Sequence, residues 1–393
     1  MAAESTRAAR RQQRTDERWQ ATTLDREAPQ RKVRGRHLTN ADDESYMQHN
    51  NWDDVQMAPD EEAAFETLVS EQAVADSSVA DACRMNAARR WDKHYDDNPR
   101  NYHDRRYLIN EYPTLLAQAL GRQEDDGDDI IVLETGCGVG NTLLPLLALN
   151  PRVRAIGCDL AANAVSRATQ RLTREELTQR GAAFCWDIGR PLPPNSPLPR
   201  DGVDTVLAIF TLSALPPEAL PLALTHLAGC LKPGGQLLLR DYARLDQKQL
   251  KFARAKNARL GSGHGCEWYM RGDGTTAIFL TVEAVTALAE AAGLKVVDLR
   301  YDRRLVVNRA SGARMHRAWI VGTLVKPGTS ASSRMARVLA LTHSVFGDGL
   351  RWLTTTSHSR VVALAAAALL FYTVAATPAA GALQMRRIRI GKA

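Results

Sequence analysis

The chain has 393 residues, 45% of them hydrophobic and 24% charged, with a formal net charge of +7. That length and balance bury a sizeable core and exclude a chain disordered throughout, while the basic excess favours an anionic partner. Six cysteines without a CxxC pair or a paired histidine spacing argue against a structural zinc and suit free thiols in a reducing compartment.

In chain order, residues 1 to 36 are rich in arginine, but Glu4, Asp16 and Glu17 interrupt them and no apolar stretch follows. A secretory signal is excluded and a mitochondrial presequence disfavoured. Residues 41 to 81 hold twelve Asp and Glu and no Lys or Arg, so this stretch does not lie on a phosphate backbone by itself. The acidic "RQEDDGDD" at 122 to 129 reads as a solvated connection. From Asp129 to Lys326, the short apolar runs "IIVLE", "VRAIGCD", "AAFCWD", "VDTVLAIF", "GGQLLLRDY", "LKVVDL" and "RAWIVGTLV" alternate with helix-like stretches. This is the βαβ rhythm of an α/β doubly wound sheet. The last two strands, joined by a long Arg-rich segment, suit an antiparallel edge pair.

Beyond this region, residues 328 to 360 read as a Ser/Thr/Gly-rich linker. Residues 361 to 383 carry no charge and are flanked by Arg360 and by Arg386, Arg387 and Arg389. That is the pattern of a membrane tail anchor, whereas the many alanines and Pro378 suit an amphiphilic or disordered tail; both readings stay open. The predicted organisation is therefore a partly disordered N-terminal extension (1 to 85), a catalytic domain (86 to 327), the linker, the hydrophobic segment, and a basic tail (384 to 393).

The run "VLETGCGVGN" (132 to 141) ends a strand at Glu134 and lets the backbone pass close to a ligand at Gly136, Gly138 and Gly140. The spacing is GxGxG with an acid two residues before it, which suits S-adenosylmethionine rather than a dinucleotide; a glycine-rich structural turn is the plain alternative. Asp159 ends the next strand, where a carboxylate accepts both ribose hydroxyls, and Asp187 ends the third, where it accepts the adenine amino group. The alternative for each is a helix cap.

The motifs "WDKHYDDNPRNYHDRRYLINEYPTL", "IGCDL", "FTLSALPPEAL", "LKPGGQLLLRDYARLDQKQLKF", "YMRGDGT" and "DRRLVVNR", with the glycine loop, resemble the tRNA 3-methylcytidine methyltransferases. The resemblance covers about Gln48 to Lys326, and "QHNNWDDVQM" with "RGDGT" resembles the branch acting on threonine tRNAs. It implies a class I, Rossmann-like fold with a seven-stranded mixed sheet and an antiparallel last strand. It implies S-adenosylmethionine held by Trp91, Tyr95, Gly136, Gly138, Asp159, Asp187, Ile188 and Ile209. It also implies a cytoplasmic enzyme forming N3-methylcytidine in a tRNA anticodon loop, with an accessory protein such as an aminoacyl-tRNA synthetase as a partner to test for.

Cytosine N3 is an unprotonated lone pair at neutral pH, so its methylation asks for positioning rather than a general base. Asp241 or Asp273 is the candidate carboxylate for the cation formed on the base; the alternative for Asp241 is a salt bridge to Arg240 or Arg244. RNA contacts are expected from Arg240, Arg244, Lys248, Lys251, Arg271, Arg303, Arg304, Asn308 and Arg309, in connections rather than strands, with Tyr242 and Trp268 as stacking faces. His264 and Cys266 lie in a loop longer than the family's and are two ligands too few for a metal site. Thr135 stands where the family carries an aliphatic or small residue. Three rivals are the same chemistry on serine or arginine tRNAs or another RNA, a non-catalytic RNA-binding partner of the same fold, against which the intact cofactor motifs argue, and a membrane-bound small-molecule methyltransferase, against which the arginines argue.

Overall fold

The computed structural model describes residues 47–98, 104–105, 108–112 and 129–328. Its strands in chain order are β1 (Asn51–Asp53), β2 (Ile130–Thr135), β3 (Val153–Asp159), β4 (Gly181–Cys185), β5 (Val203–Ile209) and β6 (Leu231–Tyr242), then β7 (Arg259–Gly263), β8 (Cys266–Met270), β9 (Thr276–Phe279), β10 (Lys295–Asn308) and β11 (Ala313–Val325). The main sheet runs β1-β10-β11-β6-β5-β2-β3-β4, and β7 to β9 form a separate antiparallel sheet. Strands β2 to β6 run parallel to one another in the main sheet, while β11 lies antiparallel to β6. Strand order reverses between β3 and β5 on either side of β2, which opens a crevice at the carboxyl ends of these strands.

The alternation of side chains along buried strands makes two apolar cores, one per face. Val206, Ala208, Leu237, Leu239 and Ile320 pack into one with Leu224 and Leu288. Leu207, Ile209, Leu238 and Val321 pack into the other with Leu143, Leu147 and Tyr112. The helices are α1 (Pro59–Glu71), α2 (Ser77–Met85), α3 (Ala87–Asp97), α4 (Leu108–Glu111), α5 (Leu143–Leu149), α6 (Ala162–Arg174), α7 (Leu220–Cys230), α8 (Gln247–Ala253) and α9 (Val282–Ala291). Helix α6 buries Ala164, Ala168, Arg171 and Leu172, one stripe at helical spacing.

Three expectations are corrected. The sheet has eight strands rather than seven, because β1 pairs antiparallel with β10 and sets Trp52 opposite Leu305. Trp52, Leu305 and Val307 share one buried cluster, and Ala80 and Cys83 of α2 enter the larger core. No break in packing therefore falls at the expected boundary between 85 and 86.

The third correction concerns the arginines of the last hairpin. Arg300, Arg303 and Arg304 lie within β10, and Arg314 and Arg317 within β11, with Arg304 facing Arg317 across the ladder. Only residues 309–312 separate the strands. Their charge hides the strand pattern in the sequence, and their carboxylate partners come both from the same strand and from distant segments. Arg304 meets Asp302 at 2.9 Å and Asp53 at 3.5 Å, while Arg240 pairs with Glu111 and with Asp302 at 3.0 Å. Trp319 lies beneath the guanidinium groups of Arg240, Arg304 and Arg317.

Candidate active site

Strand β2 carries its buried run into Glu134 and Thr135, where the chain turns through three left-handed glycines: Gly136 at φ +59°, Gly138 at +54° and Gly140 at +84°. A Cβ at Gly136 would stand 2.6 Å from the Thr211 hydroxyl, and one at Gly138 2.7 Å from that of Tyr95. Neither position tolerates a side chain, so the backbone itself lines the crevice. Thr211 donates to Thr135 O at 2.7 Å, and Thr135 donates to Leu207 O at 3.1 Å. The hydroxyl that sets Thr135 apart from an aliphatic residue thus ties β2 to β5.

Asp159 accepts from Gly138 N and from Ala161 N, both at 2.9 Å. It therefore braces the glycine loop and the start of α6 together, and each oxygen keeps a further lone pair for a ligand. Burial raises its pKa to about 6 against the pull of these two amides. Asp187 is half-buried and accepts from Gly189 N at 3.0 Å. Ile188 and Ile209 are both buried but pack in different cores.

Helix α3 closes the other side. Trp91 and Tyr95, one turn apart, lie 6.2 Å apart by ring centroid and pack with Val139 and Ala161 over the loop. Asp92 accepts from Asn163 N at 2.9 Å, pinning α3 to the start of α6. His94 Nδ1 meets Asp273 Oδ2 at 2.7 Å, and Arg90 donates to Gly274 O at 2.6 Å. The RGDGT turn is thereby fastened to α3, with the Arg271 guanidinium 6.0 Å from the Trp91 ring. Burial works to raise the Asp273 pKa, but the bonds from His94 and Thr275 outweigh it and hold the carboxyl well below its ordinary value.

Asp241 is fully buried and accepts from Ser213 N at 2.9 Å and Tyr242 N at 2.8 Å. Among the described residues it pairs with neither Arg240 nor Arg244. Burial lifts its pKa to about 6, and its bonds fix the turn that leaves β5.

The expected RNA residues divide. Arg240 is 5% exposed and committed to the ion-pair network, Arg304 belongs to the same network, and Arg244 is engaged by Glu66 at 2.6 Å. All three answer carboxylates that the chain supplies itself, two of them from the acidic stretch at 41 to 81. Arg303 lies over the Tyr301 ring at 4.4 Å, and Asn308 and Arg309 sit exposed where the hairpin turns. Lys248 and Lys251 stand exposed on α8. Burial of the Lys248 amine, then the charges of Arg317, Arg271 and Lys251, lower its pKa, so these cations lie near one another, Arg317 being itself held by buried Asp246 at 2.7 Å. Trp268 is 2% exposed beneath Arg84 and offers no stacking face. Among the described residues no cluster of His264, Cys266 or other ligands could hold a metal ion.

Two further residues complete this site, one of them, Arg105, without a signal in the sequence. Glu134 is 1% exposed with neither carboxylate oxygen hydrogen-bonded among the described residues, and burial raises its pKa to about 7. Arg105 stands 3.7 Å from it and donates to Thr142 at 3.2 Å; its neighbour Asp104 is gripped by buried Arg171 at 3.1 Å. The acid before the glycines is a recognisable pattern. Nothing in the run "HDRRYL" marks which arginine reaches it.

A methyltransferase domain model matches residues 133–237. The tRNA N(3)-methylcytidine methyltransferase Mettl2 of Drosophila melanogaster is 34% identical over 72% of this chain and 85% of its own length. The tRNA N(3)-cytidine methyltransferase METTL2 of Danio rerio is 34% identical over 76% and 91%. The chain belongs to the tRNA N3-cytidine methyltransferase family. Another relative is the tRNA N(3)-methylcytidine methyltransferase trm140 of Schizosaccharomyces pombe, 33% identical over 73% of this chain and 89% of that one.

Like its family, the chain is an S-adenosylmethionine-dependent methyltransferase, and its residues fit that cofactor. The glycine cradle has no room for a Cβ, the buried Glu134 carboxylate, with Arg105 no nearer than 3.7 Å, keeps acceptor capacity that suits the methionyl ammonium, and Asp159 keeps acceptor capacity for ribose. When bound, S-adenosylmethionine supplies the electrophilic methyl group.

Proposed function

We propose that this methyltransferase modifies N3 of an unpaired cytosine in the anticodon loop of cytoplasmic threonine tRNAs. The observation that carries this reading is the group of cations Lys248, Lys251 and Arg271, which reaches the cofactor side of the crevice where Arg271 meets Trp91. Phosphates docked there stand next to the glycine loop. N3 is hidden in a base pair, so a loop nucleotide that is already unpaired is the economical substrate.

The residues have separate tasks. Gly136, Gly138 and Asp159 shape the cofactor cradle, Trp91 and Tyr95 shield it from water, and Lys248 and Arg271 hold the RNA. Since N3 needs no deprotonation, no general base is required. The product base is cationic, and Asp273, kept ionised and 37% exposed, is the carboxylate able to face it. Asp241 is committed to backbone amides. Threonine tRNA as the substrate rests on likeness in "QHNNWDDVQM" and "RGDGT" alone. An accessory protein, with a synthetase as the first class to test, is part of the same reading.

Nucleosides from individually purified tRNAs of a deletion strain, measured by mass spectrometry, test the proposal. N3-methylcytidine disappears from threonine tRNAs and returns with the wild-type chain. Unchanged N3-methylcytidine across all tRNAs overturns it.

A further inference from the structure

Phe210 follows β5 directly and has a φ of +58°, the left-handed region. Six non-glycine residues share this feature among the described ones, and Phe210 is the one phenylalanine, tyrosine or tryptophan among them. A bulky L-residue is strained there, whereas glycine would be relaxed. The residue is nonetheless firmly placed, because its N–H donates to Arg240 O at 2.7 Å and carries the β5–β6 ladder one step further. Such strain persists where the surroundings over-determine a conformation, often at a working site.

The surroundings indicate what the ring is held for. Thr211, the next residue, underlies Gly136 of the cofactor cradle. On the other side the Tyr242 ring lies 5.1 Å away at 51°, so the two half-buried rings form a corner across the ends of β5 and β6. The Arg105 guanidinium stands 5.7 Å from the Phe210 ring centre. An aromatic corner, one residue from the methyl donor's cradle, with both rings only half-buried and Arg105 over one of them, has the chemistry of a nucleobase seat.

We propose that Phe210 is the base-stacking residue: the target cytosine lies on its ring, flanked by Tyr242, with N3 turned toward the donor methyl. This inference rests on the reading of the chain as a cytosine methyltransferase. The N3 lone pair forms the new bond to carbon, the carbon–sulfur pair stays on sulfur, and the positive charge passes to the base ring. No proton is exchanged. The electron-rich faces of the corner favour that charge as it arrives, so Phe210 acts on the rate of methyl transfer as well as on binding.

Full-length wild type, Phe210→Leu and Phe210→Tyr are compared on an RNA stem-loop for kcat/KM, together with S-adenosylmethionine affinity and melting temperature. The same stem-loop with pyrrolocytosine at the methylated position reports stacking by fluorescence quenching. Phe210→Leu lowers kcat/KM by about 5- to 150-fold, the size of one base–aromatic stack, and abolishes quenching while cofactor affinity stays put. Phe210→Tyr remains within about threefold, because it keeps the ring face. Wild-type activity and quenching in Phe210→Leu overturn the inference, as does a loss of cofactor affinity that matches the loss of rate. Wild type that methylates no cytosine in any RNA overturns the underlying reading, a result distinct from both.

Discussion

Glu134 is buried with no hydrogen bond to either oxygen among the described residues, an arrangement that costs stability unless a ligand answers it. Its folded pKa of about 7 lies above the ordinary 4.5, so the folded state binds the proton more tightly than the unfolded one. Stability from this group therefore grows as pH falls from about 7 toward 4.5 and is lost as pH rises through 7. Glu134→Gln removes that component, so the difference between wild-type and variant urea midpoints changes with pH across this window, wild type losing ground to the variant as pH rises. The same carboxylate ties cofactor binding to pH. Calorimetry finds S-adenosylmethionine tighter at pH 8 than at pH 6 in wild type and much less pH-dependent in Glu134→Gln. Methylthioadenosine, which lacks the amino-acid end, shows no such difference. Equal pH dependence in both proteins removes Glu134 from the ammonium site.

At the scale of elements, the arginines that looked most like RNA ligands split by what packs on them. Helix α8 and the RGDGT turn present Lys248, Lys251 and Arg271 on one surface, while strands β6 and β10 hold Arg240 and Arg304 inside an ion-pair network. Lys248→Ala with Lys251→Ala weakens tRNA binding and lowers the slope of log K against log salt by about two, leaving the melting temperature near wild type. Arg240→Ala removes the cation that Glu111 and Asp302 share in a buried place and destabilises the fold by about 3–5 kcal/mol. A stable Arg240→Ala protein with a reduced salt slope would reverse the two assignments. Helix α3 joins the cofactor to the RNA side, since Tyr95 rests on Gly138 while His94 holds Asp273. Loosening either contact is expected to disturb both ligands.

For the whole molecule, the N-terminal acidic stretch turns out to be structural rather than appended. Trp52 covers Leu305 and Val307, and Asp53 and Glu66 answer Arg304 and Arg244. Trp52→Ala, at 5% exposure, costs about 3–5 kcal/mol in a denaturant titration, with cofactor affinity of the folded fraction unchanged. The hydrophobic segment at 361 to 383, the linker before it and the first 46 residues lie outside the described residues, and among the described ones no helix is long and apolar enough to cross a membrane. The tail-anchor reading keeps its own test. Deleting residues 350 to 393 moves the protein from the membrane to the supernatant after carbonate extraction without lowering methylation of purified tRNA. Full-length protein already released by carbonate refutes an anchor.

What the sequence determined by itself was local chemistry. The glycines of "VLETGCGVGN", the acids at the ends of β3 and after β4, and the apolar runs of β2, β5 and β6 act through backbone conformation and neighbouring residues, so spacing alone reveals them. Tertiary structure decided the rest because charge is judged by its partners. Arg240 and Lys248 are equivalent as letters, yet one is buried against Glu111 from a segment more than a hundred residues away and the other stands exposed among neighbouring cations. The same holds for β1 and the arginine-bearing half of β10, which become recognisable as strands once they pair with each other, and for Phe210, whose strain comes from a ladder bond to another strand.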